Sequence, residues 1–320
     1  MNKRWIHIIL LLAVGLIAVI VIADYLSTRP GKRPPNPFAF DVSDYESVEE
    51  SLISHRETRQ IRITDTKAVH IASNENNIFL LTAGYLQTLT PRGEEINSIS
   101  LGQAATSLFA FPDNSVIIAF ENYLEYYSAE GNLLHRSDSA PDNALFTAVS
   151  TMENRIYVAD AGNNQVVVYD LALKYLDTFK GESGVSALHG FILPSRHFDM
   201  AVNADNELWI VNPGLHYIQN YAADGRFRRQ WGKPSFTPEG FSGCCNPSYI
   251  TFLHDGRFVT SEKGLVRIKI YKESGILESV VASPEAFKNG LKAPAIATLE
   301  NDIVVALDFD RSMIRIFEPK

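Results

Sequence analysis

The sequence predicts an all-β protein, a six-bladed β-propeller of four-stranded antiparallel blades preceded by one N-terminal transmembrane helix. Three observations predict it. A polar turn followed by a short apolar strand recurs six times. Each recurrence is flanked by further short strands, enough for four per unit. A single long apolar segment stands near the N-terminus, apart from the repeats. The 320 residues, 46% hydrophobic, suffice for one large core or two ordinary ones. The repeat therefore decides the architecture where composition cannot.

Ile6 to Ala23 consists, apart from His7, of Ile, Leu, Val, Ala and Gly, and Lys3 and Arg4 precede it. At about 18 residues it is just long enough to cross a hydrocarbon core. A cleaved signal peptide is the rival reading, since Val21-Ile22-Ala23 offers a small-residue site. The run exceeds the apolar core of a usual signal, which favours a retained, single-pass anchor in the cell membrane. Arg29, Lys32 and Arg33 weaken the charge bias across the segment. A head as short as residues 1–5 needs no export, so the N-terminus is expected in the cytoplasm and the remainder on the periplasmic or extracellular side. Chain 24–58 follows as a stalk. Arg29 to Pro37 is too rich in proline for helix, whereas Ser43 to Arg56, with Glu46, Glu49 and Glu50 early and Val48, Leu52 and Ile53 apolar, suits a short amphipathic helix.

The repeats occupy 59–320. Their marker reads Asn77-Ile78-Phe79-Leu80-Leu81, then Ser115-Val116-Ile117-Ile118-Ala119, Arg155-Ile156-Tyr157-Val158-Ala159, Glu207-Leu208-Trp209-Ile210-Val211, Arg257-Phe258-Val259-Thr260-Ser261 and Asp302-Ile303-Val304-Val305-Ala306. The spacing is roughly 38 to 52 residues. An aromatic-bearing strand follows each marker, as in Gln165 to Asp170 and Val266 to Tyr271. A polar turn and a fourth strand come next, as in Ala223-Asp224-Gly225-Arg226 leading into Phe227 to Trp231. Four short antiparallel strands per unit make a propeller blade, in which closure protects the sheet edges. The last unit stops at Ile314 to Phe317, one strand short, and Arg59 to Thr64 is expected to supply the missing strand and close the ring.

These units resemble NHL repeats. The third is nearest: Asn154-Arg155-Ile156-Tyr157-Val158-Ala159-Asp160-Ala161-Gly162-Asn163-Asn164-Gln165-Val166-Val167-Val168-Tyr169-Asp170 reads like the core of that repeat. The similarity runs from about Arg59 to Lys320, and units one and two lack the Asp-x-Gly-Asn-Asn stretch. The resemblance implies a six-bladed ring and leaves function open, because such propellers include binding modules, scaffolds, lyases and lactonases.

The formal charge of −8 and the absence of a basic run after Arg33 argue against a nucleic-acid surface. No Cys follows the apolar segment closely enough for a lipoprotein anchor, and the one Asn-x-Ser site, Asn246-Pro247-Ser248, is blocked by its proline. Nucleophile-elbow, phosphate-loop, dinucleotide and HExxH motifs are all missing.

Strand order sorts the loops. In each blade the loop entering the first strand and the loop between strands two and three share the upper face. That face receives Ser195-Arg196-His197, Gly243 to Pro247, Asp160 to Asn164, Asn212 to His216, Glu262-Lys263-Gly264 and Asp308 to Arg311. Arg196, His197, His216, Cys244, Cys245, Asn246, Glu262 and Lys263 are the ligand-binding candidates. The two cysteines are adjacent and cannot join distant parts of the chain. They suit a vicinal disulfide, a soft-metal or redox site, or an inert packed pair. His197, His216, Cys244 and Cys245 form the candidate metal set, for zinc, calcium or copper, with His189 nearby in sequence. Asp160, Asn163 and Asn164 read as turn formers. His70, along an inner strand, and His254, in a lower turn, are placed outside the upper site. With no acid, base and nucleophile set in view, the sequence favours a membrane-anchored module that binds a protein or small molecule. A metal-dependent lyase or hydrolase, or a redox protein using the Cys pair, is the alternative.

Overall fold

The computed structural model describes residues 3–27, 42–63, 67–181 and 190–320. Two units divide the chain, the first reaching Val42 and the second running from Ser43 to Lys320. In the first, helix α1 (Lys3–Ser27) carries an apolar span with a mean hydropathy of 3.1. At about 1.5 Å per residue, α1 is long enough to cross a core of about 30 Å. The proline-rich stretch and Thr64 lie outside the described residues.

The second unit is a six-bladed β-propeller. Its blades are β2 (Ala68–Ser73) to β5 (Glu95–Ser100), β6 (Ser107–Ala110) to β9 (Leu133–Arg136), and β10 (Phe146–Met152) to β13 (Tyr175–Phe179). β14 (Met200–Val202) to β17 (Phe227–Trp231) and β18 (Tyr249–Phe252) to β21 (Leu277–Ala282) follow. The sixth blade takes β22 (Ala295–Thr298), β23 (Val304–Asp308) and β24 (Met313–Pro319) from the end of the chain and β1 (His55–Arg62) from before the first blade, in the order β22-β23-β24-β1. The ring thus closes by pairing the two ends of the repeat region, as the truncated last unit requires. β1 begins four residues earlier than the sequence suggests, with His55 opposite Pro319. The helix expected over Ser43 to Arg56 is instead two short 3-10 turns, Ser43–Tyr45 and Glu50–Leu52, because the chain must extend from His55 to pair with β24.

Each marker lies on the second strand of its blade, which is buried on both faces. β3 (Ile78–Thr82) and β15 (Leu208–Asn212), for example, are buried at every position. That is why these strands read as continuous apolar runs rather than alternating ones. Among the described residues six hydrophobic clusters fill the blade interfaces, among them Phe79, Leu81, Leu108 and Ile118 between the first two blades and Ile71, Leu80, Val305 and Ile316 between the sixth blade and the first. The inner strands β2, β6, β10, β14, β18 and β22 neighbour one another in turn and surround an axial channel of about 250 Å³.

Candidate functional site

The upper mouth of the channel is formed where the inner strands begin. Val69 and His70, Thr106, Leu145 to Thr147, Arg196 to Phe198, and Tyr249 line a cavity of about 240 Å³ there. His70 and Tyr249 also line the channel beneath, so they stand at the junction of the two spaces. Their rings meet edge-on at 6.5 Å between centroids, and the His197 ring meets Tyr249 edge-on at 5.7 Å. His70 was expected away from this site. A bulge between Ala68 and His70 interrupts the register of β2, and the Nδ1 atom of His70 is buried at the mouth without a hydrogen-bond partner.

Burial holds both imidazoles neutral: the pKa of His70 falls to about 4, and that of His197 falls to about 4 from burial and the nearby Lys263 ammonium. Asp199 lies just inside the channel, where burial raises its pKa to about 7 although it accepts backbone N–H bonds from Ile250 and Met200. The phenol of Tyr249 is pushed up by burial and by the Asp199 charge. The mouth therefore offers neutral donors and acceptors, and Arg196 is the one charged side chain among the described residues lining it. Arg196 and Leu145 also line a second upper-face groove of about 490 Å³, which carries Glu121 and Asp142. Gly162 forms part of its wall, and an added Cβ there would strike the Asn143 carbonyl.

Beside the mouth, the long loop before β18 carries the cysteines. Lys263 Nζ lies 3.4 Å from Ser195 Oγ, joining this loop region to the one that bears Arg196 and His197. Asn246 clamps the loop: its Nδ2 donates to the Ser242 and Lys263 carbonyls, and its Oδ1 accepts from the Lys263 N–H. Cys244 is exposed, Cys245 is 2% exposed, and their Sγ atoms are 3.1 Å apart as free thiols.

Glu262 does not face the mouth. It is fully buried and ion-paired with Arg267 at 2.8 Å and Lys269 at 2.6 Å. Its other contacts are the Ser242 N–H and hydroxyl. The two cations outweigh the cost of burial and keep the carboxyl below its ordinary pKa. This is a repeat device. At the end of the second strand in three blades, Asp160, Asn212 and Glu262 accept the backbone N–H of Leu145, Ile192 and Ser242 in the loop entering the blade. Asp160 and Asn163 are thus turn formers, as expected, with the Asp160 carboxyl also accepting from the Gly162 N–H and the Asn163 amide.

His216 sits in the turn after β15 with φ of 59°. It is not among the residues lining the mouth. Among the described residues no three His, Cys, Asp or Glu side chains converge as a metal-holding group, so His197, His216, Cys244 and Cys245 do not assemble the set the sequence suggested. His189 lies outside the described residues. His254 is exposed on the turn after β18, away from the mouth.

The ring and its axial mouth define the class: a six-bladed β-propeller. No family model matches the sequence, and neither does any curated protein. Among solved structures, a protein of unknown function from Bacteroides thetaiotaomicron is similar at 13% identity over 84% of this chain and 74% of that one, with a TM-score of 0.60. A catalytically inactive histidine-to-alanine form of virginiamycin B lyase from Staphylococcus aureus with quinupristin is similar at 14% identity over 81% and 82% of the two chains, TM-score 0.56. A streptogramin B lyase is similar at 12% identity over 85% and 100%, TM-score 0.56. Likeness at this identity establishes the fold alone.

Proposed function

We propose that this chain is a propeller of NHL-repeat type, anchored by α1 with its ring on the extracytoplasmic side of the cell membrane. In this reading the upper mouth binds a small molecule, or a protein side chain, bearing a carboxylate or similar oxyanion. The observation that carries it is the placement of Arg196 between the mouth cavity and the adjoining groove, above neutral His70, His197 and Tyr249. A guanidinium at the rim of a half-enclosed cavity pairs bidentately with an oxyanion, and the neutral ring donors orient the remainder.

The test is a thermal-shift screen of the detergent-solubilised full chain against small carboxylates and peptides with free carboxyl termini. Ligands that stabilise the native chain are expected to lose at least about tenfold in affinity with Arg196→Ala, the value of one charge-assisted hydrogen bond. Ligands that bind the variant equally well would move the site elsewhere. Protease protection of the ring in spheroplasts or right-side-out inner-membrane vesicles would overturn the extracytoplasmic placement.

A further inference from the structure

The loop that carries Cys244 and Cys245 is fastened along its length to the fifth blade by buried charge. On β20 (Arg267–Tyr271), Arg267 donates to the Phe236 and Thr237 carbonyls, Lys269 to those of Pro238 and Gly240, and the Tyr271 hydroxyl to Pro238. Glu262 neutralises both cations and takes the Ser242 N–H. Asn246 clamps the far end, and Gly243, at φ of 69°, supplies the left-handed turn immediately before the thiols. The result is two sulfurs held in contact at the rim, one in solvent and one beneath it.

We propose that Cys244 and Cys245 form a reversible dithiol–disulfide couple that exchanges with low-molecular-weight thiols and disulfides. This goes beyond the binding of a ligand at the mouth and does not depend on it. At 3.1 Å the two sulfurs are close enough to share one proton once either thiol ionises. Burial disfavours a thiolate at Cys245, but hydrogen bonds from Cys244 and Ser195 and the Lys263 ammonium outweigh it and lower its pKa, while the same contact raises that of Cys244.

The exposed sulfur receives the incoming disulfide. Proton transfer across the S–S contact gives the less populated arrangement, with the proton on Cys245, and from it the exposed Cys244 thiolate attacks the disulfide RSSR. A Cys244–SR bond forms, the RS–SR bond breaks, and RS⁻ leaves. That RS⁻ takes the proton from Cys245, whose thiolate attacks Cys244 Sγ and expels the second RS⁻. The protein pair is oxidised by two electrons and RSSR is reduced to two thiol equivalents, one protonated. Adjacent Cα atoms are about 3.8 Å apart, short of the roughly 4.4–6.8 Å that disulfides prefer. Such a bond is strained and easily reduced, as a reversible couple requires.

The full chain in detergent, equilibrated with mixtures of reduced and oxidised glutathione, acid-quenched, alkylated and weighed by mass spectrometry, tests this. The native chain is expected to pass from two alkylated thiols to none while remaining monomeric, and to return on reduction. Cys245→Ser should accumulate one glutathione on Cys244. In Cys244→Ser, glutathionylation of the buried Cys245 should be slower by at least about tenfold. Lys263→Met should slow oxidation at pH 7 by about tenfold and move its pH profile upward. The proposal is overturned if the folded chain keeps two free thiols at every glutathione ratio while the urea-unfolded chain oxidises. It is equally overturned if both positions take glutathione without ring closure.

Discussion

Replacing Asp199 by asparagine tests how much charge the channel tolerates. Asp199 is 8% exposed, and burial moves the pKa of its carboxyl from 3.8 to about 7. The folded chain therefore holds this proton across a window in which the unfolded chain has lost it, so stability falls as pH rises from about 4 to about 7. At about 1.4 kcal/mol per pH unit, the penalty is about 1.5 kcal/mol at pH 5 and reaches a ceiling of about 4 kcal/mol at pH 8. Below about pH 3 it vanishes. Asparagine keeps an acceptor for the Ile250 N–H, now 2.8 Å from the carboxylate, and carries no charge at any pH. Asp199→Asn should thus raise the thermal midpoint more at pH 8 than at pH 5. At roughly 2 °C per kcal/mol for a unit of this size, the extra gain is about 5 °C. Midpoints of the full chain by differential scanning fluorimetry at both pH values measure it. An equal gain at the two values, or a loss at pH 8, would refute a raised carboxyl.

Two other substitutions probe the buried ion pairs. Glu262→Gln leaves Arg267 and Lys269 without a counter-charge in a dry blade and is expected to cost about 3–5 kcal/mol, lowering the thermal midpoint and opening Cys245 to alkylation. An unchanged midpoint would mean that the loop carbonyls alone satisfy the two cations. Arg315→Met removes the bridge between Glu57 on β1, at 2.7 Å, and Asp308 on β23, at 3.3 Å. A loss of about 2–3 kcal/mol is expected. Hydrogen exchange should show it first in residues 55–62, and uniform loss of protection around the ring would contradict a role in closure.

The ring was legible because its second strands are buried on both faces, which leaves unbroken runs such as Val116 to Ala119 between polar turns. Closure was legible from arithmetic, since the last unit lacks one strand. The mouth was only partly so. Arg196 and His197 follow from strand order, whereas His70 does not, because sequence periodicity cannot register the bulge in β2. Glu262 looked like a loop charge beside Lys263. The signal that places it inside lies downstream: Arg267 and Lys269 alternate with Ile268 and Ile270 on a strand buried at every position, and two such cations require an interior anion. Asp199 carried no local signal, since its environment is made by the neighbouring blade.

The seam between β1 and β24 also orders events during synthesis. β1 leaves the ribosome before any blade exists, and its partner strand follows some 250 residues later. Until Met313–Pro319 emerges, the sixth blade cannot form, and five blades can stack only into an open arc with exposed sheet edges. Such an arc is vulnerable to aggregation and proteolysis, and it becomes durable in one late step when the last strand meets the first. A truncation within β24 therefore removes more than one strand: the nascent protein loses the event that converts an arc into a ring.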